Sequence, residues 1–429
     1  MLSKYLNKFP NGYNPSKQQV KLIKEIEHAY NQGYKYVICS APTGSGKSFI
    51  SKTLANISNE PSKSFRHLIE TYEAFKMDNV GNYTNEFECL DEEPSGAFAL
   101  TITKSLQDQY KDLFDDSAIM KGTLDTSIDV EMESSVMPKK VLDDHRMSNK
   151  CPYHNARNQG ILDKFGVLNY KMFLSLPDHI KRKNFIICDE ASELEDEIVK
   201  QYSVFIDPDK LKLLGVKIPN LYNTKHDDVY KWVCMLIVTI SEYINTLTNR
   251  SNNKQVKLSN GDNIKLSYLK NLHRTLNLID QTWSECEYIA HRDGKTVKVM
   301  PLKIDVLSKY IFNSGEKILL MSATIIDHKH FAKNLGIEQY KYIEVDSTFD
   351  SNKSPIYINT KNKINHYNLK KTLPKIVKQI ESICDDHEFD KGIIHTHTSF
   401  IASYLKNNLR SKRFLYRDEQ NRNEEILAK

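Results

Sequence analysis

Sixty Lys and Arg residues against fifty-five Asp and Glu leave this 429-residue chain at +5, a surplus too small for net charge alone to announce a nucleic-acid partner. Hydrophobic residues at 40% and charged residues at 27% exclude a disordered chain and predict ordinary globular cores. Seven scattered cysteines exclude a disulfide framework, and the longest apolar run, Trp232 to Ile240, is too short to span a bilayer, so a soluble, intracellular, cytoplasmic protein is expected.

In chain order, short apolar β-rich runs alternate with polar turns and helical stretches. The clearest runs are Tyr36–Cys39, Phe98–Ile102, Phe185–Cys188, Ile318–Met321 and Gly392–His395. Continuous apolar strands suit a parallel sheet covered on both faces, and their alternation with helices makes the fold class α/β. Residues 60–95 and 115–150 are polar and acidic and read as insertions. Residues 205–305 carry long helical patterns and read as a mostly helical insert, with Trp232, Trp283 and the stripe Leu272/Leu276/Ile279 in its core. Leu369, Leu373, Ile376, Ile380 and Ile383 mark one face of a further helix, with Pro374 in its first turn and Thr372 as N-cap. The expected domains are an α/β domain over 1–204, the insert over 205–305, a return to the first domain over 306–335, and a second, incomplete α/β domain over 336–429.

The strongest chemical signal is Ala41-Pro42-Thr43-Gly44-Ser45-Gly46-Lys47-Ser48. It follows the strand at Tyr36 and precedes a helical stretch from Phe49, the context a phosphate loop requires. Gly44 and Gly46 let backbone N–H groups turn towards a phosphate, and the helix N-terminus adds partial positive charge. Lys47 is placed to reach the β- and γ-phosphates of ATP, and the Ser48 hydroxyl to ligate Mg2+. A second strand, Asn184–Cys188, ends in Asp189-Glu190-Ala191-Ser192. Asp189 at its tip is the candidate magnesium carboxylate and Glu190 the candidate base at the attacking water. Alone, this acidic pair is better read as a helix cap; beside a phosphate loop it reads as catalytic.

Taken together, these residues resemble a superfamily 2 helicase, and within it the XPD/DinG type. Leu100–Tyr110 resembles motif Ia, which implies nucleic-acid contacts from Thr103, Lys104 and Gln107. Leu319-Leu320-Met321-Ser322-Ala323-Thr324 resembles motif III, which implies a coupling role for Ser322 and Thr324. Lys391–Ser399 resembles the opening strand of the second motor domain. Asn14–Gln19 lies where the family reads adenine, with Gln18 as the candidate. Cys151-Pro152-Tyr153, Val167–Tyr170, the tract Val345–Phe349 and the helical insert, in the place of an arch domain, point to the XPD/DinG branch. The implied fold is a RecA-like P-loop motor domain with an arch-like insertion and an incomplete second RecA-like domain.

Three departures accompany the likeness. Ser192 stands where the family carries the histidine of Asp-Glu-Ala-His. Between motifs Ia and II lies one suitable thiol, Cys151, too few for the four-cysteine iron–sulfur cluster of the branch; His145, Cys151 and His154 make three zinc donors without a fourth. Motifs V and VI are not found after the motif IV segment, and Arg413, Arg417 and Arg422 read as surface charges.

Residues 351–380 hold seven lysines and no acidic residue, with Tyr357 and Tyr367 interspersed, a pattern suited either to a solvated basic face or to a nucleic-acid backbone and its bases. The expected activity is an ATP- and Mg2+-dependent DNA helicase-type motor on single-stranded or forked DNA. The alternative is a nucleotide-dependent DNA-binding module, or one part of a split helicase whose second polypeptide supplies motifs V and VI. A P-loop small-molecule kinase would explain the phosphate loop but not the Ser-Ala-Thr segment.

Overall fold

The computed structural model describes residues 3–70, 76–77, 83–84, 94–121, 152–176, 178–212, 214–219, 226–252, 259–347, 356–358, 365, 367–411 and 413–416. The chain divides into two units, Met1–Thr348 and Phe349–Lys429.

The first unit is built on a parallel sheet of seven strands. Its members are β1 (Tyr36–Ser40), β4 (Ala97–Thr101), β5 (Ala118–Met120), β6 (Phe165–Asn169), β7 (Lys183–Asp189), β11 (Gly315–Ser322) and β12 (Tyr340–Glu344), while β2 (Lys76–Met77) and β3 (Tyr83–Thr84) form a separate two-residue hairpin pair. The order is β12-β1-β11-β7-β4-β6-β5, with every pairing parallel. Alternate residues of the apolar strands enter different cores, as the two-residue period of a strand requires. Val37, Cys39, Ile187, Leu319 and Met321 pack with Leu22, Ile23 and Leu54, whereas Ile38, Ile186, Cys188, Ile318 and Leu320 pack with Phe173, Ile180 and Leu194.

Two helices stand on either side of β1 in the chain. Helix α1 (Lys17–Asn31) starts with a capping box, in which the Ser16 side chain accepts from Gln19 N and the Gln19 side chain accepts from Ser16 N, satisfying two orphan amides at once. Helix α2 (Lys47–Ile57) begins immediately after the glycine-rich turn and has no side chain bonded at its N-cap, Gly46. Helices α3 (Lys63–Glu70) and α4 (Lys104–Leu113) follow; α4 is capped by the Thr103 hydroxyl, which accepts from Leu106 N at 3.3 Å.

The region 205–305 is less helical than its sequence suggests. The paired helices His226–Asn252 and Asn260–Thr282 are joined by an antiparallel sheet of β8 (Val204–Ile206), β10 (Thr296–Pro301) and β9 (Tyr288–Asp293), in that spatial order. The β9–β10 hairpin turns at Gly294-Lys295, with Gly294 at φ 57°, so Asp293-Gly294 is the hairpin signal that the helical pattern obscured. Trp232 and Trp283 are buried with Leu272, Leu276 and Ile279, and Trp283 stacks on Tyr230 and Tyr288 at 5.1 Å.

Strand β12 lies within the span assigned from sequence to a second domain, yet it pairs with β1 through Tyr36↔Tyr340 to Ser40↔Glu344. Its backbone hydrogen bonds therefore go to the first sheet, and the second unit starts at Phe349. Within that unit, helices Leu369–Asp386 and Ser399–Asn408 bury Leu373, Val377 and Leu405. The first of these helices has Asn368 as N-cap. Thr372 is not the cap: it lies inside the helix, and its hydroxyl donates to the Asn368 carbonyl at 3.0 Å. Pro374 is likewise interior, beyond the first turn expected for it. Gly392–His395, expected as a strand, has no regular structure, and Ile393 is 75% exposed; among the described residues of this unit no neighbouring strand takes its backbone groups. Arg413 donates to the carbonyls of Cys384, His387 and Asp390, closing the end of the first helix as a basic side chain does well there.

Candidate nucleotide site

The parallel register brings three strand ends level. Ser40 lies opposite Ser322 and Met321 opposite Asp189, so the phosphate-loop turn, the Ser-Ala-Thr segment and the Asp-Glu pair all emerge from the C-terminal edge of the sheet, where open α/β folds bind ligands. The turn is held by Ala41 N donating to Ser322 O at 2.9 Å and Ser45 N donating to Pro42 O at 3.1 Å. Gly44 and Gly46 both take left-handed backbone, at φ 81° and 80°, which a Cβ would oppose. A Cβ at Gly46 would also stand 2.0 Å from Gln19 Nε2. The uncapped first turn of α2 leaves amides suited to an anion, and Thr43 and Gly44 are exposed above it while Ser45 is buried.

Lys47 Nζ lies 3.3 Å from Glu190 Oε1, joining the two motifs across β11. Glu190 is the one non-glycine residue with positive φ among the described residues, at 51°, a conformation costing about 1–2 kcal/mol. Its neighbour Asp189 is 4% exposed and accepts from Glu190 N and from the Tyr110 hydroxyl, each at 3.1 Å. Burial lifts the Asp189 carboxyl above the usual carboxylate range, and the Lys47 charge opposes that rise.

Hydroxyls link the acidic pair to the next strand. Ser192 Oγ and Ser322 Oγ are 2.9 Å apart, the Ser322 hydroxyl approaches Glu190 Oε2 at 3.4 Å, and the Thr324 hydroxyl donates to Ser192 Oγ at 3.0 Å. Serine in place of histidine at position 192 therefore still contacts the Ser-Ala-Thr segment. Asp189 accepts from the Tyr110 hydroxyl, and Ser48 is the second residue of α2; a carboxylate and a serine hydroxyl are a donor set that fits Mg2+, which takes few protein ligands and keeps its waters.

Other predicted positions fall in different surroundings. Gln18 donates to the Asp346 carbonyl, while Gln19 reaches the phosphate loop at Gly46 O, at 3.5 Å. Of the motif Ia residues, Thr103 and Lys104 are exposed at the start of α4. Gln107 is fully buried and donates to Met120 O at 3.0 Å, so it ties α4 to β5 and offers no surface to a strand. Two tyrosines were missed by sequence reasoning, because an aromatic residue on an amphipathic helix reads as core. Tyr110 bonds the Asp189 carboxylate, and the Tyr170 hydroxyl donates to Asp189 O at 3.1 Å.

Lys370, Lys371, Lys375 and Lys378 are exposed on their helix, and Tyr357 and Tyr367 are exposed beside it in sequence. Lys353, Lys361, Lys363, Cys89, His145, Cys151, Arg417, Arg422, and Thr348 and Phe349 of the family-like tract lie outside the described residues, as does the side chain of His154. No helix among the described residues is long and apolar enough to cross a membrane.

No protein-family model matches the chain, and no curated protein is a significant match. Solved structures do match. A structure of S. tokodaii Xpd4 aligns with a TM-score of 0.51 at 12% identity, over 96% of this chain and 78% of that one. An XPD helicase structure aligns with a TM-score of 0.46 at 16% identity, over 92% and 79%. The likeness to Xpd4 carries the fold alone: this chain shares the α/β architecture of that structure.

Proposed function

We propose that the chain is an ATP hydrolase driving a helicase-type motor of XPD type on DNA. The observation that carries the reading is the 3.3 Å pair of Lys47 and Glu190 beside the buried Asp189, all at one edge of a parallel sheet. Lys47 meets the β- and γ-phosphates, the α2 amides and Gly44–Gly46 turn cradle them, and Glu190 orients the attacking water and takes its proton. Ser48 and Asp189 would hold magnesium, which when bound supplies positive charge to the phosphates. Ser192, Ser322 and Thr324 link the base to the next strand and so couple the site to movement. Thr103 and Lys104, exposed at the start of α4, supply contacts for a single strand, and in the second unit the exposed lysines of the Leu369–Asp386 helix offer a basic surface of their own. Gln18 or Gln19 would face the nucleotide base.

The test is ATP turnover by the whole chain with and without single-stranded DNA. Turnover stimulated by the strand supports a motor; ATP binding without turnover, or turnover indifferent to DNA, overturns it. A second reading is favoured by the exposed, unpaired Gly392–His395 segment: a nucleotide-dependent DNA-binding module, or one part of a split helicase, that turns over only when a second polypeptide pairs with that segment. Stimulation by such a polypeptide separates the two.

A further inference from the structure

We propose that Tyr110 is a positioning residue for the metal-binding carboxylate of the nucleotide site, fixing the orientation of Asp189. The inference rests on the reading of this site as a place for MgATP.

Tyr110 lies on α4, seven residues beyond the exposed Thr103, with its side chain turned into the sheet edge and 1% exposed. Its ring packs edge-on against Phe165 at 5.8 Å between centroids. Its hydroxyl, however, is set among polar groups: it donates to Asp189 Oδ2 at 3.1 Å and lies 3.1 Å from Ser51 Oγ. A purely structural aromatic would not need two such partners at the one place where the helix after the glycine-rich turn meets the acidic strand.

The directions follow from what each group can do. An ionised Asp189 only accepts, so the single phenolic proton goes to Oδ2. The phenol oxygen is then an acceptor towards Ser51. On the other side, Asp189 Oδ1 accepts from Glu190 N, so both carboxylate oxygens are held and the group cannot rotate away. Ser51 Oγ also lies 3.2 Å from Lys47 O, so its one proton is shared between the phenol oxygen and the first turn of α2. Outer partners of this kind orient first ligands, and removing one costs about 10- to 100-fold in metal affinity or activity.

The experiment is calorimetric titration of the whole protein with a non-hydrolysable ATP analogue at a series of magnesium concentrations. Tyr110→Phe removes one oxygen and keeps the ring. The expected result is a rise of roughly tenfold or more in the magnesium needed for half-maximal analogue binding, with metal-free binding and the melting temperature near those of the wild type. Should Tyr110→Phe fail to fold, Ser51→Ala carries the same prediction at a smaller size. Wild-type magnesium dependence in the folded variant overturns the role of Tyr110 and leaves the nucleotide site standing. Absence of any magnesium-dependent binding by the wild type overturns the site itself, and this proposal with it.

Discussion

The ammonium of Lys47, at the first position of α2, stands 3.3 Å from the carboxylate of Glu190, which leaves the neighbouring motif in a left-handed backbone turn. Each charge compensates the other, and the proposed function sets one at the phosphates and the other at the attacking water. The two side chains therefore have separable roles. Lys47→Ala is expected to abolish ATP binding, because the charge opposite the phosphates is lost. Glu190→Gln is expected to retain binding and lose turnover by at least about 100-fold, the low end of what a positioned base contributes. Nucleotide titration and phosphate release measure the two; equal ATP affinity in wild type and Lys47→Ala would refute the assignment.

Backbone strain at Glu190 can be measured apart from its charge. Glu190→Gly and Glu190→Ala both delete the carboxylate, but only glycine accepts φ 51° without penalty. Glu190→Gly should be more stable than Glu190→Ala by about 1 kcal/mol, read from denaturant midpoints. The opposite order would mean that the turn relaxes when the side chain is gone.

Gly46→Ala tests the cradle. The added methyl would meet Gln19 Nε2 in a left-handed backbone position, so a stability loss of about 1–2 kcal/mol is expected. Analogue binding should fall with it while the fold persists by circular dichroism. Unchanged affinity would show that the loop needs no glycine there.

Ser192→Ala addresses the hydroxyl contacts of Ser192 with Ser322, which itself reaches Glu190, and with Thr324. One hydrogen bond of about 1 kcal/mol amounts to roughly fivefold in rate, so DNA-stimulated turnover should drop by that order while ATP affinity stays within about twofold. A matching loss in binding would assign Ser192 to the nucleotide rather than to coupling.

Lys183, fully buried at the start of β7, donates to Ile161 O at 2.6 Å, and burial pulls its pKa down to about 7. Unfolded, the same amine stays protonated up to its ordinary value of 10.5. Between those limits the unfolded chain binds the extra proton, so this residue's contribution to stability rises with pH from about 7 upward, by at most about 1.4 kcal/mol per pH unit. Below about 7 both states are protonated and its contribution is flat. Lys183→Met should flatten the wild-type rise between pH 7 and 9 in denaturant melts, a window lying inside those limits. An unchanged pH profile would assign the rise to other groups.

The glycine-rich turn, the acidic pair and four of the seven parallel strands were legible in the amino-acid order, because each is a local pattern: glycines at a tight turn, a carboxylate pair after a continuous apolar run, a serine–threonine pair at another strand's end. Tertiary pairing decided the rest. Whether β12 belongs to the first sheet depends on which strand takes its backbone bonds, and β1 does so from some three hundred residues away in the chain. Likewise, Gln107 and Tyr110 sit three residues apart on one amphipathic helix. Only their neighbours make one a tie to Met120 and the other a hydroxyl on Asp189. Sequence periodicity reports that a side chain turns inward; it carries no information about the polar atom waiting there, since that atom is brought by a strand formed elsewhere in the chain.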